Sequence, residues 1–253
     1  MNSRRAACLK TISPFKPQDG AYAGPLATAG SGRAGRETTV LRPSRRQVRE
    51  EVVRRLKAGD FQGLEDLASR ESGVAAILMQ FLYDPGDLLH WRALEGLGHV
   101  AGAHAEQVHK LINRLLYLVN EDSGSTGWGA AAALGEIGRH RASLIKEIIP
   151  MFIGFLEEKF TLEPMLWGVG RMAEVHPELL HEVLPRIAPF LTSTEPQVRA
   201  LAAWCLGKAR YRPATGALAT LLGDGHPVQL YDRGELFQAT VGQVAQQALA
   251  ALA

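Results

Sequence analysis

Apolar positions in the chain fall first into short helical patterns and then into a pattern that repeats. Val48, Val52 and Leu56 stand four apart, and Phe61, Leu64, Leu67 and Ala68 follow at spacings of three, three and one; each set marks one face of a helix. Ser44 and Gln47 fit a capping box at the start of the first helix. Gly59 is placed to stop that helix and Asp60 to cap the next. The run VAAILMQFLY (74–83) predicts a buried helix ending at Asp84-Pro85. Beyond it an apolar residue followed by Gly recurs at Gly98, Gly135, Gly170 and Gly207, with spacings of 37, 35 and 37. Each copy carries one of the chain's four tryptophans, Trp91, Trp128, Trp167 and Trp204. A fixed period of this size predicts stacked helical hairpins, each repeat burying its apolar face on its neighbours.

The first helix of each hairpin, A, is predicted near 87–100, 127–139, 162–175, 196–209 and 240–252. The second, B, is predicted near 104–119, 142–158, 178–192 and 214–222. Pro150 and Pro185 lie 35 apart in consecutive B segments; a proline deeper than the first turn would kink them. The last A helix (VGQVAQQALA, 241–250) is offset by 43 from VRALAAWCLG (198–207), and the surplus lies in HPVQLYDRGELFQAT. There VQLY and ELFQ flank Asp232-Arg233-Gly234, which predicts a small β-hairpin with a three-residue turn.

These residues resemble HEAT-like repeats, the short armadillo-type kind first named from phycobilisome lyases. The carriers are HWRALEGLGHVAG (90–102), GWGAAAALGEIG (127–138), VRALAAWCLGKA (198–209) and the B motifs IIPMFIGFL and VLPRIAPFL. The resemblance covers residues 74–253, or 44–253 if the first helices belong to it. It implies an all-α, right-handed α-solenoid of about five helical hairpins, with the β-hairpin as an insert near the C-terminus. Relatives include protein-binding scaffolds, bilin lyase subunits, deoxyhypusine hydroxylase and a DNA glycosylase, so the fold alone does not settle the chemistry.

Phasing the A helices at about 100° per residue separates two faces. The residues nine, five and one before each Gly (Leu89, Ala93, Leu97; Val198, Ala202, Leu206) mark the buried side. The tryptophans sit seven or three before the Gly, on the opposite side, where charged residues extend them into a strip. The strip comprises Trp91, Glu95 and His99; Trp128 and Glu136; Glu163, Trp167 and Arg171; Trp204 and Lys208. Aromatics rimmed by charge have the composition of a recognition surface. Packing between repeats is the competing account of the same indoles.

Net charge is +2, but residues 1–58 hold 13 Lys/Arg against 4 Asp/Glu, and residues 59–253 hold 15 against 22. The repeat body is therefore acidic, which disfavours a phosphate-backbone ligand. It would bind nucleic acid only if Arg92, Arg139, Arg171, Arg199 and Lys208 converged; Arg92 and Arg199 are expected instead to pair with acids along the stack. Residues 1–43, rich in Pro, Gly, Ala and Ser, read as a disordered basic tail ahead of a repeat domain at 44–253. Flexible tail, targeting segment and a start codon set too far upstream are the alternatives for it. Two cysteines, Cys8 and Cys205, make no disulfide framework, and no apolar run reaches a membrane span. A cytoplasmic protein is expected.

The hydroxylase resemblance would require several His-Glu pairs for two irons, and only His181-Glu182 occurs; no metal or cofactor is expected. In NEDSGSTGWG (120–129) the acids Glu121 and Asp122 oppose a phosphate, and the segment reads as an inter-repeat loop. The sequence thus points to a non-enzymatic scaffold binding a protein or peptide on the Trp/charged strip. The alternative is a lyase-like or glycosylase-like ligand site on Trp91, Glu95, Trp128 and Glu163.

Overall fold

The computed structural model describes residues 43–120 and 129–253. The basic segment up to Arg42, the loop from Glu121 and Trp128 itself lie outside the described residues. What is described is an all-α solenoid with one small antiparallel sheet near its C-terminus.

Two leading helices, α1 (Arg45–Ala58) and α2 (Phe61–Arg70), precede α3 (Val74–Leu78). Ser44 and Gln47 form the capping box, Gly59 takes a left-handed φ of 65° to end α1, and the Asp60 side chain caps α2. The A helices are α4 (Leu88–Ala103), α6 (Ala130–His140), α8 (Lys159–Ala173), α10 (Pro196–Lys208) and α12 (Val241–Leu252). The B segments hold α5 (Ala105–Asn120), α7 (Met151–Glu157), α9 (Leu184–Ile187) and α11 (Thr215–Thr220). Only the first B segment is one long helix. In the second and third, Pro150 lies at the cap of α7 and Pro185 in the first turn of α9, and 3-10 turns flank both. A proline deprives the preceding turn of a backbone donor, so the long B helices expected there are broken into pieces rather than kinked.

The A helices stack in sequence, α4 on α6, α6 on α8, α8 on α10 and α10 on α12. The repeating glycine makes this possible. A Cβ on Gly135 would stand 2.2 Å from the Gly168 carbonyl, and one on Gly207 would meet the Ala248 Cα at 2.7 Å. Backbone faces backbone at Gly135, so Gly135→Ala must force α6 and α8 apart. We expect it to cost about 1–3 kcal/mol. Gly154→Ala, on α7 where a Cβ meets nothing within 4 Å, should stabilise by roughly 0.5–1 kcal/mol through helix propensity. Urea unfolding of the two variants checks the pair; equal effects would contradict the close-approach account.

The inserted segment forms β1 (Pro227–Asp232) and β2 (Glu235–Thr240), paired from Pro227↔Thr240 to Asp232↔Glu235. The turn holds two residues rather than three: Arg233 (φ 51°) and Gly234 (φ 85°) are both left-handed, the type I′ geometry that matches strand twist. Cys205 is buried in the core, and burial pushes its thiol pKa up. Among the described residues no helix is long and apolar enough to cross a membrane.

Candidate functional site on the A-helix face

The strip residues do converge. Trp91 meets Trp167 edge to face at 5.2 Å between centroids, and Trp167 lies parallel to Trp204 at 6.4 Å. Glu95, Glu136, Arg171 and Lys208 form one ionic cluster beside them. The strip is covered rather than open, however. Trp167 is fully buried, and Trp204, Glu95, Glu136 and Arg171 are buried with it. The cover is β1, folded back onto α4, α8 and α10. Tyr231 stacks on Trp91 at 5.5 Å, and its backbone carbonyl accepts the Trp167 indole N–H at 3.0 Å. Asp232 accepts from Lys208 Nζ at 2.8 Å, and Arg92 Nε of α4 donates to the Gly234 carbonyl at 3.2 Å.

Arg171 is the hub of the cluster. Its Nε donates to Glu136 Oε2 at 2.6 Å and its Nη2 to both Glu136 Oε1 (3.1 Å) and Glu95 Oε1. The second oxygen of Glu95 accepts the Tyr231 hydroxyl at 2.6 Å. Outward, Arg139 Nε stands 3.2 Å from Glu174, and Lys208 bridges Glu174 and Asp232. His140 Nε2 and Arg139 Nη1 approach Glu136 at 3.3 and 3.4 Å. Four carboxylates (Glu95, Glu136, Glu174, Asp232) thus stand against three full cations, so losing one cation leaves the cluster badly unbalanced. Burial alone would raise the Glu136 pKa; His140, Arg171 and Arg139 outweigh it and draw it down to about 2. Burial likewise opposes the Arg171 charge, but Glu136 and then Glu95 outweigh it, raising its pKa. Desolvation and the Glu95 carboxylate push the Tyr231 hydroxyl up.

Chemically this ion network is satisfied at its centre, while Arg139 Nε and Asp232 Oδ1 at its margin have no hydrogen-bond partner among the described residues. Both oxygens of Glu95 and both of Glu136 already accept from donors, and a carboxylate with a pKa near 2 is a poor general base at neutral pH. Glu163 stands apart from it, exposed near the start of α8, with its pKa raised by desolvation and by Glu195. Trp128 falls outside the described residues, so the four-residue ligand site of the alternative reading is not assembled by the described part of the chain. Among the described residues no group of three or more His, Cys, Asp or Glu is arranged to hold a metal.

The expected pairing of the outer arginines is half met. Arg199 binds Asp224 through Nε at 2.9 Å and Nη2 at 2.7 Å. Arg92 instead spends its donors on carbonyls of Leu56, Lys57 and Gly234. The residues that sequence reasoning left without a place in the strip are Tyr231, Asp232, Gln197, Arg139 and Glu174. Arg139 and Glu174 sit four residues after successive repeat glycines, one turn beyond the strip, a signal the sequence does contain. Nothing local marks Tyr231 and Asp232, because their partners lie far away in the chain.

One match to a family model agrees with this architecture. The family model for the HEAT-like repeat matches residues 160–209, which span α8 to the end of α10. An uncharacterized protein of Archaeoglobus fulgidus is 29% identical over 99 residues, covering 39% of this chain and 53% of that protein; the alignment thus spans about half the length of that relative. A designed armadillo repeat protein is similar at 16% identity with a TM-score of 0.45, covering 84% of this chain and 96% of its own. An engineered protein is similar at 17% identity with a TM-score of 0.49, covering 82% of this chain and 89% of its own. A designed armadillo repeat protein in complex with the peptide (KR)4 is similar at 16% and 0.48, covering 83% and 95%.

Proposed function

We propose that this chain is a non-enzymatic repeat scaffold that binds a protein or peptide partner as an extended segment on its hairpin-covered A-helix face. The observation that supports this reading is the way β1 is held. With a two-residue turn, Val228, Leu230 and Asp232 exchange ladder bonds with β2, while Gln229 and Tyr231 turn their backbone groups outward. A-helix side chains take up those outward groups. Gln197 donates Nε2 to the Gln229 carbonyl at 2.7 Å and accepts the Gln229 N–H at 3.2 Å, and Trp167 donates to the Tyr231 carbonyl. The A-helix face thus binds extended backbone in this chain already, with its own hairpin as the occupant.

The sheet has two strands among the described residues, and the outer edge of β2 at Leu236 and Gln238 has no third strand beside it. An extended partner would add there through main-chain bonds. In this reading Trp91, Glu95, Glu136, Trp167, Arg171, Trp204 and Lys208 serve the partner by fixing the hairpin. Glu163 has no part in that fixing, and Trp128 lies outside the described residues.

Gln238→Pro is the test. The Gln238 N–H points away from β1, so proline removes an edge donor without losing a ladder bond. We expect partners captured by the wild-type chain to be lost by at least tenfold with Gln238→Pro, while the unfolding midpoint moves little. Partners retained in full by a folded Gln238→Pro protein would sink the strand-addition reading.

A further inference from the structure

A pocket of about 390 Å³ opens between the α1–α2 junction, α4 and the hairpin turn, lined by Phe61, Arg92, Glu95, Arg233, Gly234 and Glu235. Its charges are unlike those of the neighbouring ion cluster. Arg92 is half-buried and fixed by three carbonyls, Leu56 at 3.1 Å and Lys57 at 2.7 Å from the end of α1, and Gly234 at 3.2 Å from the turn. Among the described residues no carboxylate stands within ion-pair distance of it. The end of a helix carries only about half a negative charge, so the guanidinium keeps an uncompensated share of its own. Arg233, at the tip of the turn, is exposed and has no hydrogen bond or ion pair among the described residues. Glu95 opposes these cations only in part, because its charge is shared with Arg171 and its second oxygen accepts from the Tyr231 hydroxyl. Glu235, on the rim, is the remaining negative group and has no ion pair among the described residues.

We propose that this pocket is a binding site for a small oxyanion, the carboxylate or phosphate group of an organic ligand, held between Arg92 and Arg233. Arg92 supplies a charge already locked in place, which lowers the ordering cost of binding. Arg92 gives Nε and Nη1 to carbonyls, which leaves its Nη2 to donate to a ligand; Arg233 supplies a second, exposed donor set, and guanidinium N–H groups donate to the two oxygens of a carboxylate or to two oxygens of a tetrahedral phosphate. The Phe61 ring, stacked on His99 at 5.0 Å, gives the body of the ligand an apolar wall. Glu235 opposes the bound charge from the rim and limits affinity.

The test titrates inorganic phosphate, and separately acetate, into the full chain at constant ionic strength, by calorimetry and by amide shifts of residues 57–61 and 232–236. The wild-type protein should bind at least one of them saturably. Binding of phosphate alone identifies a phosphate ligand, and binding of acetate alone a carboxylate ligand. Arg92→Leu also removes the bonds that hold the end of α1, so the informative variant is Arg233→Asn. Asn is among the residues best suited to a left-handed turn position, so the hairpin should persist. Arg233→Asn should weaken binding about tenfold, and Glu235→Gln should tighten it severalfold. The site is overturned if neither anion saturates, if Arg233→Asn binds as the wild type does, or if Glu235→Gln weakens binding.

Discussion

Replacing Arg171 by alanine should lower the stability of the protein by roughly 3–5 kcal/mol at pH 7, because it leaves a buried charge uncompensated. For a chain of this size that corresponds to a fall in the unfolding midpoint on the order of 10 °C. Glu136 and Glu95 would then share a buried site with no guanidinium between them. Of these two carboxylates Arg139 and His140 approach only Glu136, and at more than 3 Å. The sign of the pH dependence distinguishes this account from simple loss of packing. In the wild type the folded Glu136 pKa of about 2 lies below its unfolded value, ordinarily about 4.3. Its contribution is therefore fully present above about pH 4.5 and is lost as pH falls towards 2. In Arg171→Ala the remaining carboxylates are desolvated and mutually repelling, so their folded pKa values rise above the unfolded ones. Lowering the pH then helps the variant by protonating them. The stability gap between wild type and Arg171→Ala should be widest at pH 7 and clearly narrower at pH 4, as read from denaturant unfolding at both. A gap that is constant across that range would show that the charge plays no part.

Trp167→Ala should cost about as much, roughly 3–5 kcal/mol, the range for truncating a buried aromatic. The indole is fully buried between Trp91, Trp204 and Tyr231, and it donates to the Tyr231 carbonyl. Alanine removes the packing and also leaves that carbonyl without its donor. Trp167→Phe keeps most of the ring area but not the N–H, so its loss should be smaller. The loosening should be felt first in β1: amide exchange of Leu230 and Tyr231 should quicken in Trp167→Phe before global stability falls. If β1 exchange stays at the wild-type rate in Trp167→Phe, the indole does not fix the hairpin. The size of the alanine effect also explains why strip tryptophans are poor probes of partner binding, and why Gln238→Pro is the better one.

Much of this was legible in the sequence, and the boundary of legibility has a physical cause. The repeat glycines located the A helices because their requirement is local and periodic: wherever two A helices approach to backbone contact, a Cβ is excluded. Ser44, Gln47, Gly59 and Asp60 located the helix ends because a cap is satisfied within a few residues. Helical phase placed Glu95, Glu136, Arg171 and Lys208 on one face, and they do meet there. Phase cannot reveal what lies over that face. The hairpin was recognisable as a hairpin, but its docking depends on Tyr231 reaching Glu95 across 136 residues. Apolar alternation in VQLY says that one face of the strand is buried and does not say against which helix. The same blindness made the tryptophans read as a surface, since a residue opposite its own helix's core looks solvent-facing until another element arrives. The turn was misjudged by one residue because Asp232 suits a turn equally well; its pairing with Glu235 and its contact with Lys208 decide the matter.

The hairpin belongs to the last repeat by sequence, yet Arg92 and Glu95 of the first A helix bind its tip and its tyrosine. Repeat arrays ordinarily couple only neighbour to neighbour, so their ends fray and their middles can part. Here the end of the array is tied back to its beginning by a hairpin that also holds α8 and α10 on the way. Fraying at α12 therefore also disturbs α4, and a ladder of loosely independent rungs melts instead as a closed circuit.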